Sequence, residues 1–138
     1  MGIADERAAI ENLLGVYTFA YDENDMTAMA GCFTADAVMS MRVADGDLVG
    51  PFEGRDQIVG LMEKSLASQD DQRRHLVSNV VVRDLTDSSA TVTSYLTLIS
   101  IAGQTLTVLS TARYEDELAR EDGAWRFTRR HVQLDLPY

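Results

Sequence analysis

The sequence predicts an α+β fold in which N-terminal helices pack over a strongly curved, mixed or antiparallel sheet. In the first half, apolar residues recur at the three-to-four-residue spacing of buried helix faces. In the second half, β-branched runs are separated by turns of two to four residues, which is typical of an antiparallel meander. Helices first and strands afterwards is an order typical of α+β domains. A bent sheet covered in this way closes into a cone, and the space between the first helix and the concave face becomes an apolar pocket.

The first helix is predicted from a single apolar face, with Asp5 as its expected N-cap. This face carries Ile10, Leu13, Leu14, Tyr17 and Tyr21. Asn24-Asp25 ends the pattern, and Asp25 can cap a short second helix over residues 26–33. A strand over 37–43 and a turn at 44–47 precede a third helix, which opens at Gly54-Arg55-Asp56. A polar loop over 68–72 then leads to the meander, whose strands are predicted over residues 76–85, 90–101, 105–118 and 125–134.

Length and charge narrow the classes of function. With 138 residues, the chain is expected to form one domain, residues 1–138. Its 22 acidic and 12 basic residues give a net charge of −10, which argues against nucleic acid and anionic membrane surfaces as partners. No apolar run approaches the roughly 20 residues of a membrane span, and the first residues lack the features of a signal peptide. We therefore expect a cytoplasmic protein.

Metal and cofactor sites are not expected. The lone cysteine, Cys32, lies in an apolar run and is interpreted as a buried structural thiol. The two histidines are far apart and form no His-x-His or Glu-x-x-His motif, so the ligand set for a metal is weak. No glycine-rich phosphate loop is present, which leaves the prediction of no metal and no cofactor.

Several short motifs in a particular order suggest a family. They are Tyr17-Thr18-Phe19-Ala20-Tyr21-Asp22, Met29-Ala30-Gly31-Cys32-Phe33, Phe52-Glu53-Gly54-Arg55-Asp56, Arg74-His75-Leu76-Val77-Ser78-Asn79, and Asp122-Gly123-Ala124-Trp125-Arg126-Phe127. From about residue 8 to 135 the chain resembles the SnoaL-like, scytalone-dehydratase-like branch of the NTF2-like superfamily. The resemblance implies a cystatin/NTF2-like α+β barrel, a homodimer or homotrimer, and hydrophobic, possibly polycyclic, small-molecule ligands.

The resemblance also implies a catalytic pair. In scytalone-dehydratase-like members an Asp near the end of helix 1 orients a His on the first meander strand, and Asp22 and His75 match these positions. Those members use a second pocket His on the following strand, which is absent here from residues 93–99. A one-base reaction stays open. Without the resemblance, Asp22 could be a solvated turn residue and His75 a strand-edge His bonded to a backbone carbonyl.

Further candidates would bind the substrate. Tyr17, Tyr21 and Tyr95 could hydrogen-bond a carbonyl or enolate oxygen, or serve as core aromatics. Asn79 alternates with His75 along its strand and could share the pocket face. The last strand contributes Arg129, which could meet an anionic group or form a surface salt bridge, and His131, a possible acid–base group or a surface or interface residue.

Three functions follow as hypotheses. The first is a cofactor-independent lyase or isomerase, of dehydratase or cyclase type, in which His75 abstracts a proton from a hydrophobic substrate. The second is a non-catalytic small-molecule-binding protein or accessory subunit. The third resembles the structural small subunit of ring-hydroxylating dioxygenases. Long apolar strands such as 95–101 would expose a face or edge that needs cover, which favours a homodimer or homotrimer.

Overall fold

Three helices lie over one six-stranded sheet in the computed structural model, which describes residues 2–138. The elements are α1 (Ile3–Asp22), α2 (Met26–Gly31), β1 (Phe33–Val43), β2 (Val49–Glu53), α3 (Arg55–Ala67), β3 (Gln72–Arg83), β4 (Ser89–Ala102), β5 (Thr105–Glu121) and β6 (Ala124–Leu134). The strand order is β2-β1-β6-β5-β4-β3, with β1 and β6 parallel and the other neighbouring pairs antiparallel. The predicted α+β architecture is confirmed. Strand β2 was not predicted, because it is short, largely exposed and contains a proline.

Helix α1 buries the predicted face, and its start differs from the prediction. The helix begins at Ile3 with Gly2 at the N-cap, and Asp5 lies inside the first turn, where its Oδ2 accepts the Gly2 N–H at 3.3 Å. The predicted cap of the second helix is confirmed, since Asp25 accepts the Ala28 N–H at 3.0 Å. That helix ends at Gly31, and the chain turns directly into β1 at Phe33.

A buried carboxylate fixes the first turn of α1 against the sheet. Glu6 is 6% exposed and accepts the Trp125 indole N–H at 2.7 Å and the Arg120 guanidinium at 2.8 Å. Both donors belong to the β5–β6 hairpin. These charge-assisted bonds hold the start of α1, and the apolar face of the helix then directs its last turn toward β3.

Two irregularities in the sheet decide which side chains face the core. In β3 the pairing with β4 slips between Ser78 and Val81, and Asn79 has φ +57°. In β6 the pairing with β5 passes from Phe127 to Arg129 without Thr128, which is therefore an extra residue. Since side chains alternate along a strand, one extra residue reverses the face of everything beyond it.

The core fills the space between the concave face of the sheet and the helices. Within residues 2–138, none of the helices combines the length and apolarity that crossing a membrane requires.

Candidate functional site

Asp22 and His75 meet where the end of α1 packs on the start of β3. The Asp22 Oδ1 lies 2.6 Å from the His75 Nδ1, and the Asp22 Oδ2 accepts the backbone N–H of His75 at 3.0 Å. Their side chains are 7% and 11% exposed, respectively. Both carboxylate oxygens are thus engaged by one residue, which fixes the position of the imidazole. Because a carboxylate only accepts, the arrangement assigns the ring proton to Nδ1 and leaves Nε2 as the free basic nitrogen.

His75 lines a cavity in the concave face of the sheet. The cavity measures about 60 Å³ and is otherwise lined by apolar and aromatic side chains and Ser65. Its walls include Tyr17, Tyr21, Met39, Met41, Leu61, Met62, Leu96, Leu98, Tyr114, Val132, Leu134 and Tyr138. Methionine side chains adapt their shape easily, so this wall can widen around a ligand. The space suits a compact molecule with few polar groups.

Tyr21 connects the pair to the cavity. Its ring packs edge-on against the His75 ring, with ring centres 4.7 Å apart. Its hydroxyl accepts the Gln69 side-chain amide at 2.7 Å, and burial raises the pKa of this phenol. Tyr21 therefore stays protonated near neutral pH and keeps its own O–H free to donate.

Tyr17 and Tyr114 form the inner part of the same cavity. Both side chains are almost completely buried, yet each reaches the cavity wall. Their rings meet edge-to-face with centres 6.3 Å apart. Burial raises the pKa of both phenols well above the ordinary value, so both hydroxyls are donors at physiological pH.

Behind these tyrosines lies a buried charge pair. The Arg130 Nε is 3.1 Å from the Asp116 Oδ1, and both side chains are 0% exposed. The contact is poorly aligned: within residues 2–138, no nitrogen of this guanidinium and neither oxygen of this carboxylate makes a hydrogen bond. Burial raises the pKa of Asp116 to about 7, although Arg130 opposes the rise.

Sequence reasoning missed this pair because of the extra residue in β6. Without the extra residue, regular alternation would place Arg129 on the inward face together with Trp125 and Phe127, as the sequence predicts. With Thr128 extra, Arg130 turns inward instead and lies directly opposite Asp116 on β5. The sequence offered one signal for this pair: Asp116 follows Tyr114 by two positions, and Arg130 follows Phe127 by three. A salt bridge on the surface would give the same pattern, so the signal does not identify a buried pair.

Four predicted pocket residues lie outside the cavity. Arg129 and His131 point to the outer face for the reason just given. There the His131 Nδ1 is 2.8 Å from the Ser40 hydroxyl. Tyr95 is 53% exposed, because on β4 the inward positions are the even-numbered neighbours Ser94 and Leu96.

Asn79 is also exposed and lines an outer groove between α1 and β3. The irregularity after Ser78 interrupts the alternation that would have placed it beside His75. The positive φ at Asn79 is one that asparagine tolerates better than most residues, which is a structural reason for its presence.

Two further sequence predictions concern ligands and thiols. Among residues 2–138, no three His, Cys, Asp or Glu side chains cluster as a metal site would require. Cys32 is buried, donates its thiol to the Ala28 carbonyl at 3.4 Å, and has its pKa raised by burial to about 11. A thiol that stays protonated is a poor nucleophile, in agreement with a structural role.

The geometry can therefore support proton transfer without a metal. The free Nε2 of a carboxylate-held imidazole is a general base, and neighbouring phenols can donate to an oxygen atom. Both occur in one partly closed, mostly apolar cavity.

Comparison with known proteins agrees with the fold. The model of the SnoaL-like domain family matches residues 3–131. A structure from Catenulispora acidiphila in complex with S-DNPA is 25% identical, with a TM-score of 0.81, covering 95% of this chain and 94% of that one. No curated protein matches the sequence at a significant level.

Two structures from Novosphingobium aromaticivorans share the fold at lower identity. One, provisionally named a scytalone dehydratase, is 24% identical with a TM-score of 0.79, covering 96% of this chain and 86% of its own. The other is the β subunit of a provisionally identified aromatic-ring-hydroxylating dioxygenase, 13% identical with a TM-score of 0.84, covering 99% and 94%. Because the family model matches residues 3–131, almost the whole chain, this protein belongs to the SnoaL-like family.

Proposed function

We propose that the protein is a cofactor-independent lyase or isomerase that acts on a compact, hydrophobic carbonyl compound. The observation that supports this most directly is the 2.6 Å contact between the Asp22 carboxylate and the His75 ring at the cavity wall. His75 Nε2 takes a proton from the carbon next to the substrate carbonyl, and the electron pair of that C–H bond forms an enolate. The positive imidazolium that results is stabilised by the carboxylate already bound to Nδ1.

Two outcomes are open to the enolate. If the neighbouring carbon bears a hydroxyl, the imidazolium returns its proton to that oxygen, water leaves, and the product is an enone. If a double bond is in conjugation with the enolate, the imidazolium returns its proton to the far carbon, and the double bond migrates. General acid–base assistance of this kind contributes about 10²–10⁴-fold to the rate.

The dimensions of the cavity restrict the substrate. A cavity volume of about 60 Å³ favours a substrate with a single ring or a short chain over the polycyclic compounds that the family resemblance suggested. A polycyclic ligand would require the methionine wall and the C-terminal Tyr138 to move outward.

The test uses two one-ring probes, cyclohex-3-enone for isomerisation and 3-hydroxycyclohexanone for dehydration, because both give the same conjugated product. We expect wild-type protein to form cyclohex-2-enone from at least one probe, and His75→Gln to lose at least 100-fold of this rate. The matched control is His131→Gln, the same change in an imidazole on the outer face. Equal rates for wild type and His75→Gln would refute the role of this base.

A non-catalytic role is the alternative, and one observation favours it. Within residues 2–138, His75 is the one imidazole in the cavity, so no second histidine is available to share acid and base duties. The structural similarity to the β subunit of a provisionally identified dioxygenase also supports a role as an accessory subunit. A cavity ligand recovered unchanged after long incubation, with no solvent deuterium incorporated, would favour binding over catalysis.

We also propose a homodimer or homotrimer, because the outer face of the sheet has an apolar part on β3, β4 and the start of β5. Leu76, Val81, Tyr95, Leu106 and Val108 are each between 47% and 63% exposed there. Exposed apolar groups of this size and number favour association. A monomer in light scattering over a wide concentration range would contradict this.

A further inference from the structure

We propose that the Tyr17 and Tyr114 hydroxyls form a binding subsite for a substrate oxygen that becomes negatively charged, and that the buried Arg130 behind their rings supplies the compensating positive charge. This inference rests on the proposed function, since it assigns the group that would hold the enolate oxygen. Tyr17 is a sequence-predicted candidate for this part together with Tyr21 and Tyr95, and the structure adds Tyr114 and Arg130.

The position of the guanidinium is the first argument. The Arg130 guanidinium carbon lies 3.5 Å from the ring centre of Tyr114, 4.2 Å from that of Tyr17 and 4.4 Å from that of Phe127. A cation over the face of an aromatic ring is attracted by the ring electrons. The same cation withdraws electron density from a phenol and so makes its O–H a stronger donor. Two of the three rings carry a hydroxyl that can pass this effect into the cavity.

The unused hydrogen-bonding capacity is the second argument. The Asp116 carboxylate and all three guanidinium nitrogens of Arg130 lack an aligned hydrogen bond among residues 2–138. Buried unpaired groups of this kind are costly and rare, and a pair kept only for stability is expected to align its hydrogen bonds. The guanidinium is thus held by ring faces and by one misaligned carboxylate, and none of its N–H groups is aligned with an acceptor among residues 2–138.

The state of the phenols is the third argument. In residues 2–138, neither the Tyr17 nor the Tyr114 hydroxyl has a hydrogen-bond partner, and neither is among the fully enclosed unpaired atoms. Each oxygen therefore has surface that opens into the cavity it lines. The Tyr21 hydroxyl differs in that its oxygen already accepts the Gln69 amide, while its own O–H stays free to donate. Two free donors in a water-poor site are prepared for an oxygen on which charge develops.

A phenolate imitates an enolate, because both carry their charge on an oxygen attached to a planar carbon. The probe is therefore 4-nitrophenolate, whose absorbance distinguishes its charged and neutral forms, and the reference is 4-nitroanisole, the methyl ether that cannot ionise. We expect wild-type protein to bind the phenolate at least tenfold more tightly than the ether and to keep it ionised when bound. Failure to bind the phenolate more tightly than the ether would overturn the proposal.

The decisive variants remove one oxygen each and keep the rings. Tyr17→Phe and Tyr114→Phe should each weaken phenolate binding about 10–100-fold, as expected for a hydrogen bond to a charged group, and leave ether binding within twofold. Tyr95→Phe, the same change on the outer face, is the control and should bind both probes as wild type does. Unchanged phenolate affinity in both cavity variants would refute the subsite.

The contribution of Arg130 is tested by replacing the pair with apolar residues of similar volume, Arg130→Met with Asp116→Leu, since buried pairs can often be exchanged in this way without loss of folding. The double variant should lose the preference for the phenolate over the ether and keep its affinity for the ether. If it keeps the preference, or if circular dichroism shows it unfolded while the two cavity phenylalanine variants bind phenolate normally, Arg130 has no such role.

These measurements need no turnover. Absence of enone formation by wild-type protein would refute the proposed reaction and leave the anion preference measurable. Normal turnover by wild-type protein that shows no preference for the phenolate, together with unchanged turnover in Tyr17→Phe and Tyr114→Phe, would refute the subsite alone.

Discussion

Exchanging Asp22 for Asn gives the sharpest test of how His75 is held. The carboxylate accepts hydrogen bonds at both oxygens, whereas the amide that replaces it has one acceptor oxygen and one donor nitrogen. The backbone N–H of His75 is a fixed donor 3.0 Å from Oδ2, so the amide oxygen of Asp22→Asn must occupy that position. The amide nitrogen then faces Nδ1, which was 2.6 Å from the other oxygen. Since both amide hydrogens are donors, Nδ1 has to become an acceptor, and the ring proton moves to Nε2.

The magnitude follows from two losses. The charge-assisted hydrogen bond to the imidazolium is worth about 1.5–3 kcal/mol, which corresponds to roughly 10–100-fold in rate. The proton on Nε2 also removes the free base from the cavity side, and locking a catalytic imidazole in the wrong tautomer costs up to about 10⁴-fold in a serine protease. We therefore expect Asp22→Asn to lower the rate on the enone probes by about 10²–10⁴-fold.

The comparison with Asp22→Ala makes the prediction specific. Alanine leaves Nδ1 without a partner, so the ring can still adopt either tautomer, and activity should fall less than in Asp22→Asn. Glu23→Gln, the same loss of charge one residue later on the exposed side, is the control and should leave the rate unchanged. The assay is initial-rate formation of cyclohex-2-enone at matched protein stability. If Asp22→Asn is as active as wild type, or more active than Asp22→Ala, the assigned tautomer is wrong.

Three further predictions concern stability and assembly. Glu6→Ala should lower the free energy of unfolding by roughly 2–4 kcal/mol, because it leaves the donors of Trp125 and Arg120 without their acceptor; urea denaturation checks this, and a loss below 0.5 kcal/mol would contradict it. Asp116→Asn should remove a pH dependence: burial raises the pKa of this acid from 3.8 to about 7, so the folded state binds its proton more tightly than the unfolded state, and this group's contribution to stability declines as pH rises from about 4 to 7, by up to roughly 4 kcal/mol. The difference in unfolding free energy between this variant and wild type should therefore grow in the variant's favour over that pH range, and a constant difference would refute the shift. Val108→Asp places a charge on the exposed apolar face and should shift the protein toward monomer in light scattering without changing its circular dichroism; an unchanged mass would exclude this face as the interface.

Local patterns were sufficient for the elements that bury one regular face. The helical period of α1 ends at Tyr21, and this alone defined where the last turn and Asp22 would lie. The long runs of β4 and β5, joined by a short turn, likewise predicted antiparallel partners, and the two strands pair in this way. The pairing of Asp22 with His75, 53 positions apart, needed more than local pattern, and only the resemblance to a family joined them.

Two single-residue irregularities separated the predicted site from the observed one. Side chains along a strand point alternately to the two faces of the sheet. The extra residue at Thr128 shifts this alternation by one, so that Arg130 and not Arg129 lies in the core. The irregularity in β3 beside Asn79 likewise places Asn79 outside the inward face that carries His75. No residue type marks either position clearly, because each is set by how neighbouring strands twist and pair.

The sequence by itself determined the order of helices and strands and the acidic net charge, since these depend on spacing and residue type, and the resemblance to a family added the candidate pair of Asp22 and His75. Only the tertiary structure decided that Glu6 anchors α1, that Tyr95 and His131 face outward, and that Arg130 lies buried under Tyr17 and Tyr114. The physical reason is that burial and charge pairing depend on how close groups lie in space. The register of the sheet determines these distances.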